Sequence, residues 1–177
     1  MNTFVTSAGL IAVTQAQVID VDKVLAVLTG AGEWLTSHGI DQWGPGRFTQ
    51  EGSAAAIKCG EVYIARLGGK IVGTFRLQWS DEALWGIRPD DAGHVHALAV
   101  ERAFAGHHIG LGLLRWAEHQ TATTGRKFLR LDCMAANPAL RNYYLKSGFV
   151  FVGELQKQGW SAALFEREAM LAEELQI

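Results

Sequence analysis

Cysteine and proline are scarce: the 177 residues hold two of the first and three of the second. Cys59 and Cys133 form neither a disulfide framework nor a metal-ligand spacing, and they suit a reducing compartment. Cys133 ends an apolar, strand-like run and reads as a small buried side chain. Charge of one sign is lacking too. Sixteen Lys and Arg face 18 Asp and Glu, a net charge of −2, which argues against a sequence-independent grip on nucleic acid. No window approaches the roughly 20 apolar residues that span a bilayer. The N-terminus has neither the basic segment nor the apolar length of a signal peptide. These absences point to a soluble, cytoplasmic chain with no nucleic-acid or membrane partner. They leave the oligomeric state open, a homodimer included.

Glycine (20 residues) and tryptophan (six) are plentiful, and 49% of the chain is hydrophobic. The length suits a single domain over residues 1–177 that buries a real core, with residues 1–8 as an N-terminal tail. Trp34, Trp43, Trp79 and Trp85 all fall in the first half, either as core or as walls of a pocket.

Periodicity gives a coarse order of elements. Residues 10–19 are rich in β-branched side chains and predict a strand. Asp20 or Asp22 caps a helix carrying Val24, Leu25, Leu28, Trp34 and Leu35, which Gly30 and Gly32 could break. Residues 39–46 form a loop, and residues 50–58 a short helix. Two alternating runs, 61–67 and 70–79, are joined by Gly68-Gly69, a hairpin signal. A polar loop over 80–93 leads to a strand at 94–100, followed by a glycine-bearing turn and a helix over 109–123. Residues 127–133 form another strand. Asn137-Pro138 opens a helix that Gly148 closes. Strands near 149–155 and 162–168 end the chain. Antiparallel pairs beside a strand–helix–strand crossover make the class mixed α/β, with a largely antiparallel sheet and flanking helices.

Residues 98–114, LAVERAFAGHHIGLGLL, carry the strongest chemical signal. A glycine turn feeding a helix N-terminus offers N–H groups without helical partners and a partial positive charge, which together suit phosphate. Gly106 and Gly110 leave the main chain open to a bulky anion. A tight turn with no ligand would read the same way.

The run resembles the acetyl-CoA motif of the GNAT superfamily of N-acetyltransferases. That motif is a strand ending in Leu-Ala-Val, then Arg/Gln-x-x-Gly-x-Gly/Ala, then a helix with an apolar start. The family's second landmark, an Asn followed by a Tyr-bearing helix that ends in Gly-Phe, is matched by Asn137, Tyr144, Gly148 and Phe149. The resemblance spans roughly residues 71–151 and implies the GNAT fold. Two positions depart from it. Ala105 stands where the family has a basic residue, and His108 where it has the first glycine. Arg102, His107 or His108 could supply the missing charge.

The resemblance implies acetyl-CoA as co-substrate and acetyl transfer to a primary amine of a small molecule or peptide. Leu98, Ala99 and Val100 would pair with the pantetheine arm, with the Val100 N–H polarising the thioester carbonyl. Ala105, Gly106, His107, His108, Ile109 and Gly110 would cradle the pyrophosphate, and Asn137 would lie beside the pantetheine. Tyr144, seven residues on and two helical turns along the same face, would donate a proton to the departing thiolate. Tyr143 would be core, beside Leu140. The base is open: His94 and His96 share a strand face with Leu98 and Val100 by alternation, while Glu82, Asp81 and Asp132 are rivals. Asp132 also shares a face with Arg130, and a simple ion pair between them would explain both. The acid- and tryptophan-bearing loop with Asp81, Glu82, Trp85, Asp90 and Asp91 could hold a cationic amine. Two other readings stay open: a non-catalytic acyl-CoA-binding or sensing module, and a Rossmann-type nucleotide enzyme. The second is disfavoured by the hairpin ahead of the motif.

Overall fold

The computed structural model describes residues 2–171. Their strands, β1 (Thr3–Thr6), β2 (Gly9–Gln15), β3 (Val62–Leu67), β4 (Lys70–Gln78), β5 (Ala92–Val100), β6 (Phe128–Met134), β7 (Val150–Lys157) and β8 (Trp160–Glu168), are ordered β1-β2-β3-β4-β5-β6-β8-β7. All neighbouring pairs with a defined register are antiparallel except β5 and β6. The class is therefore mixed α/β, as expected. A hairpin-first sheet with one parallel pair excludes the doubly wound alternative. The chain forms two compact units, described in turn: residues 2–77 with 97–116, and residues 78–96 with 117–171.

In the first unit, β1 (Thr3–Thr6) pairs with β2 (Gly9–Gln15), correcting the expectation of a tail over residues 1–8. Phe4, only 2% exposed, makes β1 part of the core. Its ring lies where a β-carbon on Gly112 would overlap it. Helix α1 (Val21–Ser37) is unbroken, so Gly30 and Gly32 do not stop it. Gly32 instead makes room for the loop after the helix, since a β-carbon there would sit 2.8 Å from the Trp43 carbonyl oxygen. Helix α2 (Gln50–Lys58) is capped by Thr49, whose hydroxyl accepts the Gly52 N–H. Val24, Leu28, Ile57 and Ile64 are buried together, and Trp43 and Phe48 pack on that cluster. Strands β3 (Val62–Leu67) and β4 (Lys70–Gln78) turn through Gly68 and Gly69, both at positive φ as a tight hairpin requires.

In the second unit, α3 (Glu82–Trp85) sits inside the expected polar loop, capped by Asp81. The start of β5 (Ala92–Val100) runs parallel to β6 (Phe128–Met134), with Val95 in register with Leu131. Helix α4 (Ile109–Thr123) links them with the expected bounds. Leu129, Leu131 and Cys133 are buried on one face of β6, as their alternation predicts. Helix α5 (Pro138–Lys146) precedes a hairpin of β7 (Val150–Lys157) and β8 (Trp160–Glu168), whose second strand also pairs with β6.

Candidate active site

Strand β5 does not run regularly to its end. Ala97 has φ 51, a left-handed conformation that interrupts two-residue alternation. The expectation that His94, His96, Leu98 and Val100 share one face is corrected on this ground. Beyond Val100, the Glu101 N–H donates to the Val72 carbonyl at 2.8 Å, and a short 3-10 turn over Arg102–Phe104 leads to Ala105.

Gly106 has φ 82 and His108 φ 59. Histidine therefore stands where the backbone takes the left-handed form that favours glycine. It is among the few side chains enriched there. Gly112 is the first residue of α4 whose N–H finds a helical acceptor, the His108 carbonyl at 3.0 Å. The N–H groups of Ile109, Gly110 and Leu111 lead the helix without such partners. Nothing would crowd a β-carbon at Gly106, so the loop surface is open there. Buried Ile109, Leu113 and Leu114 anchor the helix from within. An anion fits this backbone whatever the side chains at 105 and 108. Of the three side chains that could add charge, Arg102 stacks on Trp34, its guanidinium carbon 3.8 Å from the ring centre. His107 Nδ1 lies 3.0 Å from the Ser7 hydroxyl, and His108 is exposed.

In the second unit, Asn137 caps α5, its Oδ1 accepting the Leu140 N–H at 3.1 Å. Asn137 and Tyr144 are both buried, at 5% and 7% exposure. The Tyr144 ring packs on Phe149 and Phe165. Burial first, then the Cys133, Tyr143 and Asp132 groups, hold its phenol far above the usual range. The hydroxyl therefore keeps its proton and can only donate it under strong demand. Tyr143 is 37% exposed, which corrects its expected place in the core.

The two histidines of β5 differ sharply. His94 is 4% exposed, and its ring lies edge-on to Trp85. Burial, followed by the Arg130 charge, lowers its pKa to about 4. His96 keeps a side-chain exposure of 21% and lies between two carboxylates: Asp81 Oδ2 is 3.4 Å from Nε2 and Asp132 Oδ1 is 3.6 Å from Nδ1. Asp132 does not pair with Arg130, correcting that expectation. Arg130 instead donates to Asp91 at 2.9 Å and to Glu166 at 2.7 Å. Asp90 accepts from Arg126, and Glu82 is exposed. Asp90 and Asp91 are thus taken up by arginines rather than free for a cationic amine. The flanking of His96 by Asp81 and Asp132 was hidden in the sequence, because Asp132 arrives through the parallel register of β5 with β6 and Asp81 from the cap of α3.

Residues 30–149 match the family described as Acetyltransferase (GNAT) family. The chain belongs to that family and is an acetyl-CoA-dependent acetyltransferase. It is 31% identical over 161 residues to a Bacillus subtilis protein named uncharacterized N-acetyltransferase YesJ, covering 84% of this chain and 85% of that protein. Its structure is similar to that of a GNAT-family acetyltransferase from Listeria monocytogenes 4b F2365, with a TM-score of 0.81 at 26% identity over 94% of this chain and 99% of that one. It also shares a fold with the PaiA N-acetyltransferase of Thermoplasma acidophilum, solved in complex with coenzyme A. There the TM-score is 0.70 at 17% identity, over 89% of this chain and 98% of the other.

Proposed function

We propose that the chain acts as one catalytic domain that moves acetyl from acetyl-CoA to a primary amine by direct attack in a ternary complex. The observation that carries this reading is the left-handed backbone at His108, which rebuilds the glycine turn ahead of α4 without the glycine. Family membership adds independent weight.

Bound acetyl-CoA supplies an activated acyl thioester. Leu98, Ala99 and Val100 hold the pantetheine arm through their main chain, and the turn from Ala105 to Gly110 cradles the pyrophosphate through the N–H groups of Gly106, His108, Ile109 and Gly110, those of Ala105 and His107 being donated to the Arg102 and Phe104 carbonyls. The Val100 N–H donates to the thioester oxygen as negative charge develops there. Tyr144 donates its phenolic proton to the departing thiolate, and Asn137 orients the arm beside it. His96 takes the proton of the incoming amine. His94, buried and a weak base, supports the strand instead. A covalent acyl-enzyme is disfavoured, because burial pushes the Cys133 thiol up to about 12 and leaves it without thiolate character.

Acetyl-CoA titration followed by calorimetry, then CoA release across polyamines, aminoglycosides, amino acids and peptide N-termini, tests this reading. Saturable binding with turnover of at least one amine is expected. No binding at millimolar acetyl-CoA would refute it.

A further inference from the structure

His96 lies where β5 leaves regular geometry. Val95 is in register with Leu131, and Ala97 turns left-handed. Continuing the register by one residue brings Asp132 to the imidazole, at 3.6 Å from Nδ1. Asp81 comes from the start of α3, where its Oδ1 accepts the Leu84 N–H at 3.2 Å. With one oxygen fixed by that cap, the other is aimed at His96 Nε2, 3.4 Å away.

The Asp81 side chain is only 9% exposed. Its Oδ2 and His96 Nε2 are both buried without a hydrogen-bond partner. A buried carboxylate oxygen is costly unless a donor meets it, and the donor that faces this one is an Nε2–H. Neutral imidazole carrying its proton on Nε2 has its lone pair on Nδ1. That lone pair then faces Asp132 Oδ1, so two acceptors converge with no donor between them. A primary ammonium fits this gap, having one positive charge and several N–H bonds.

We propose that Asp81 is a positioning residue that fixes His96 in the Nε2–H tautomer, so that Nδ1 and Asp132 receive the acceptor as a primary ammonium. This rests on the acetyl-transfer reading above. In the step, one N–H bond of the ammonium breaks and its proton bonds to Nδ1. The electron pair stays on the substrate nitrogen, which attacks the thioester carbonyl. Each N–H of the resulting imidazolium then has a carboxylate to accept it, Asp81 on one side and Asp132 on the other. The acceptor class is therefore an aliphatic primary amine, charged in water. Arylamines, which arrive neutral, are poor acceptors.

Asp81→Asn isolates the role, because asparagine caps helices as well as aspartate does. Its amide can donate to Nε2 and shift the ring proton to Nδ1, blocking the basic atom. Side-chain 15N NMR of His96 in the ligand-free protein should show Nε2–H in the wild type and a shift toward Nδ1–H in the variant. The kcat with an aliphatic amine should fall about 100-fold or more, with the KM for acetyl-CoA unchanged. Asp132→Asn should raise the amine KM and leave the wild-type tautomer in place. An Nδ1–H tautomer in the wild type would overturn the proposal, as would an Asp81→Asn variant with unaltered tautomer and kcat. If the acetyl-transfer reading itself fails, the wild type acetylates no amine while the tautomer still depends on Asp81. That result would overturn the amine-receiving role of Nδ1 and Asp132 but not the positioning of His96.

Discussion

At position 108 a β-carbon occupies a backbone with φ 59, a conformation that costs an L-residue roughly 1–2 kcal/mol. His108→Gly relieves that strain but adds freedom to the unfolded chain, so its net effect on stability should be small. If the cradle is made of main-chain N–H groups, acetyl-CoA affinity in this variant should hold or improve. Calorimetric titration checks it, and a tenfold loss would assign the imidazole to the phosphate instead. His108→Val should cost more stability than His108→Gly, since β-branching is poorly tolerated at positive φ. Tyr144 gives a second test at this scale. Tyr144→Phe keeps the ring against Phe149 and Phe165 and removes only the donor. We expect kcat to fall by about 10² or more, with coenzyme A affinity near wild type. Equal loss of both would assign the residue to packing.

At the scale of elements, α5 and α4 each depend on one local device. The Asn137 cap on the Leu140 N–H should be worth about 1 kcal/mol, lost in Asn137→Ala and kept in Asn137→Asp. Chemical denaturation measures that difference. Helix α4 admits the Phe4 ring of β1 only because position 112 is glycine. Gly112→Ala should therefore displace β1 and cost about 1–3 kcal/mol by overpacking. The sequence marked α4 and α5 well because their starts carry backbone signals, a glycine turn and Asn-Pro. It missed β1 because four residues show no readable alternation, and their strand character comes from pairing with β2 and from Phe4 finding a partner. It left Gly30 and Gly32 open as breakers because a glycine's packing role is not written beside it. Gly32 is explained by the Trp43 carbonyl, which lies in a different element.

For the molecule as a whole, stability should respond to ligand and to pH. Acetyl-CoA at a hundred times its Kd adds about 2.7 kcal/mol, a rise in Tm of about 5–10 °C for a chain of this size. Differential scanning fluorimetry reads it directly. His94 ties stability to pH. Its folded pKa of about 4 lies below the ordinary 6.5, so above pH 6.5 both states are neutral there and nothing is lost. As pH falls from 6.5 toward 4, the unfolded chain takes up a proton that the native state resists, and stability declines. The Tm of the wild type should fall across that window, and His94→Gln should fall less. An identical profile in the variant would remove His94 from the account.

The mixed α/β class, the bounds of α4, the Gly68-Gly69 hairpin and the family to which residues 98–110 and 137–149 point were all legible along the chain. These are local signals, carried by periodicity, caps and turns over a few adjacent residues. Long-range packing set the rest: His108 adopts the left-handed turn, Ala97 interrupts the alternation between His94 and His96 on one side and Leu98 and Val100 on the other, and Arg130 pairs with Asp91 and Glu166. The same is true of the His96 contacts with Asp81 and Asp132. The Arg130 pairs and the approach of Asp132 to His96 depend on which strand lies beside which and in what register. Strand register is set by the packing of residues far apart in the chain, so no stretch of sequence spells it out.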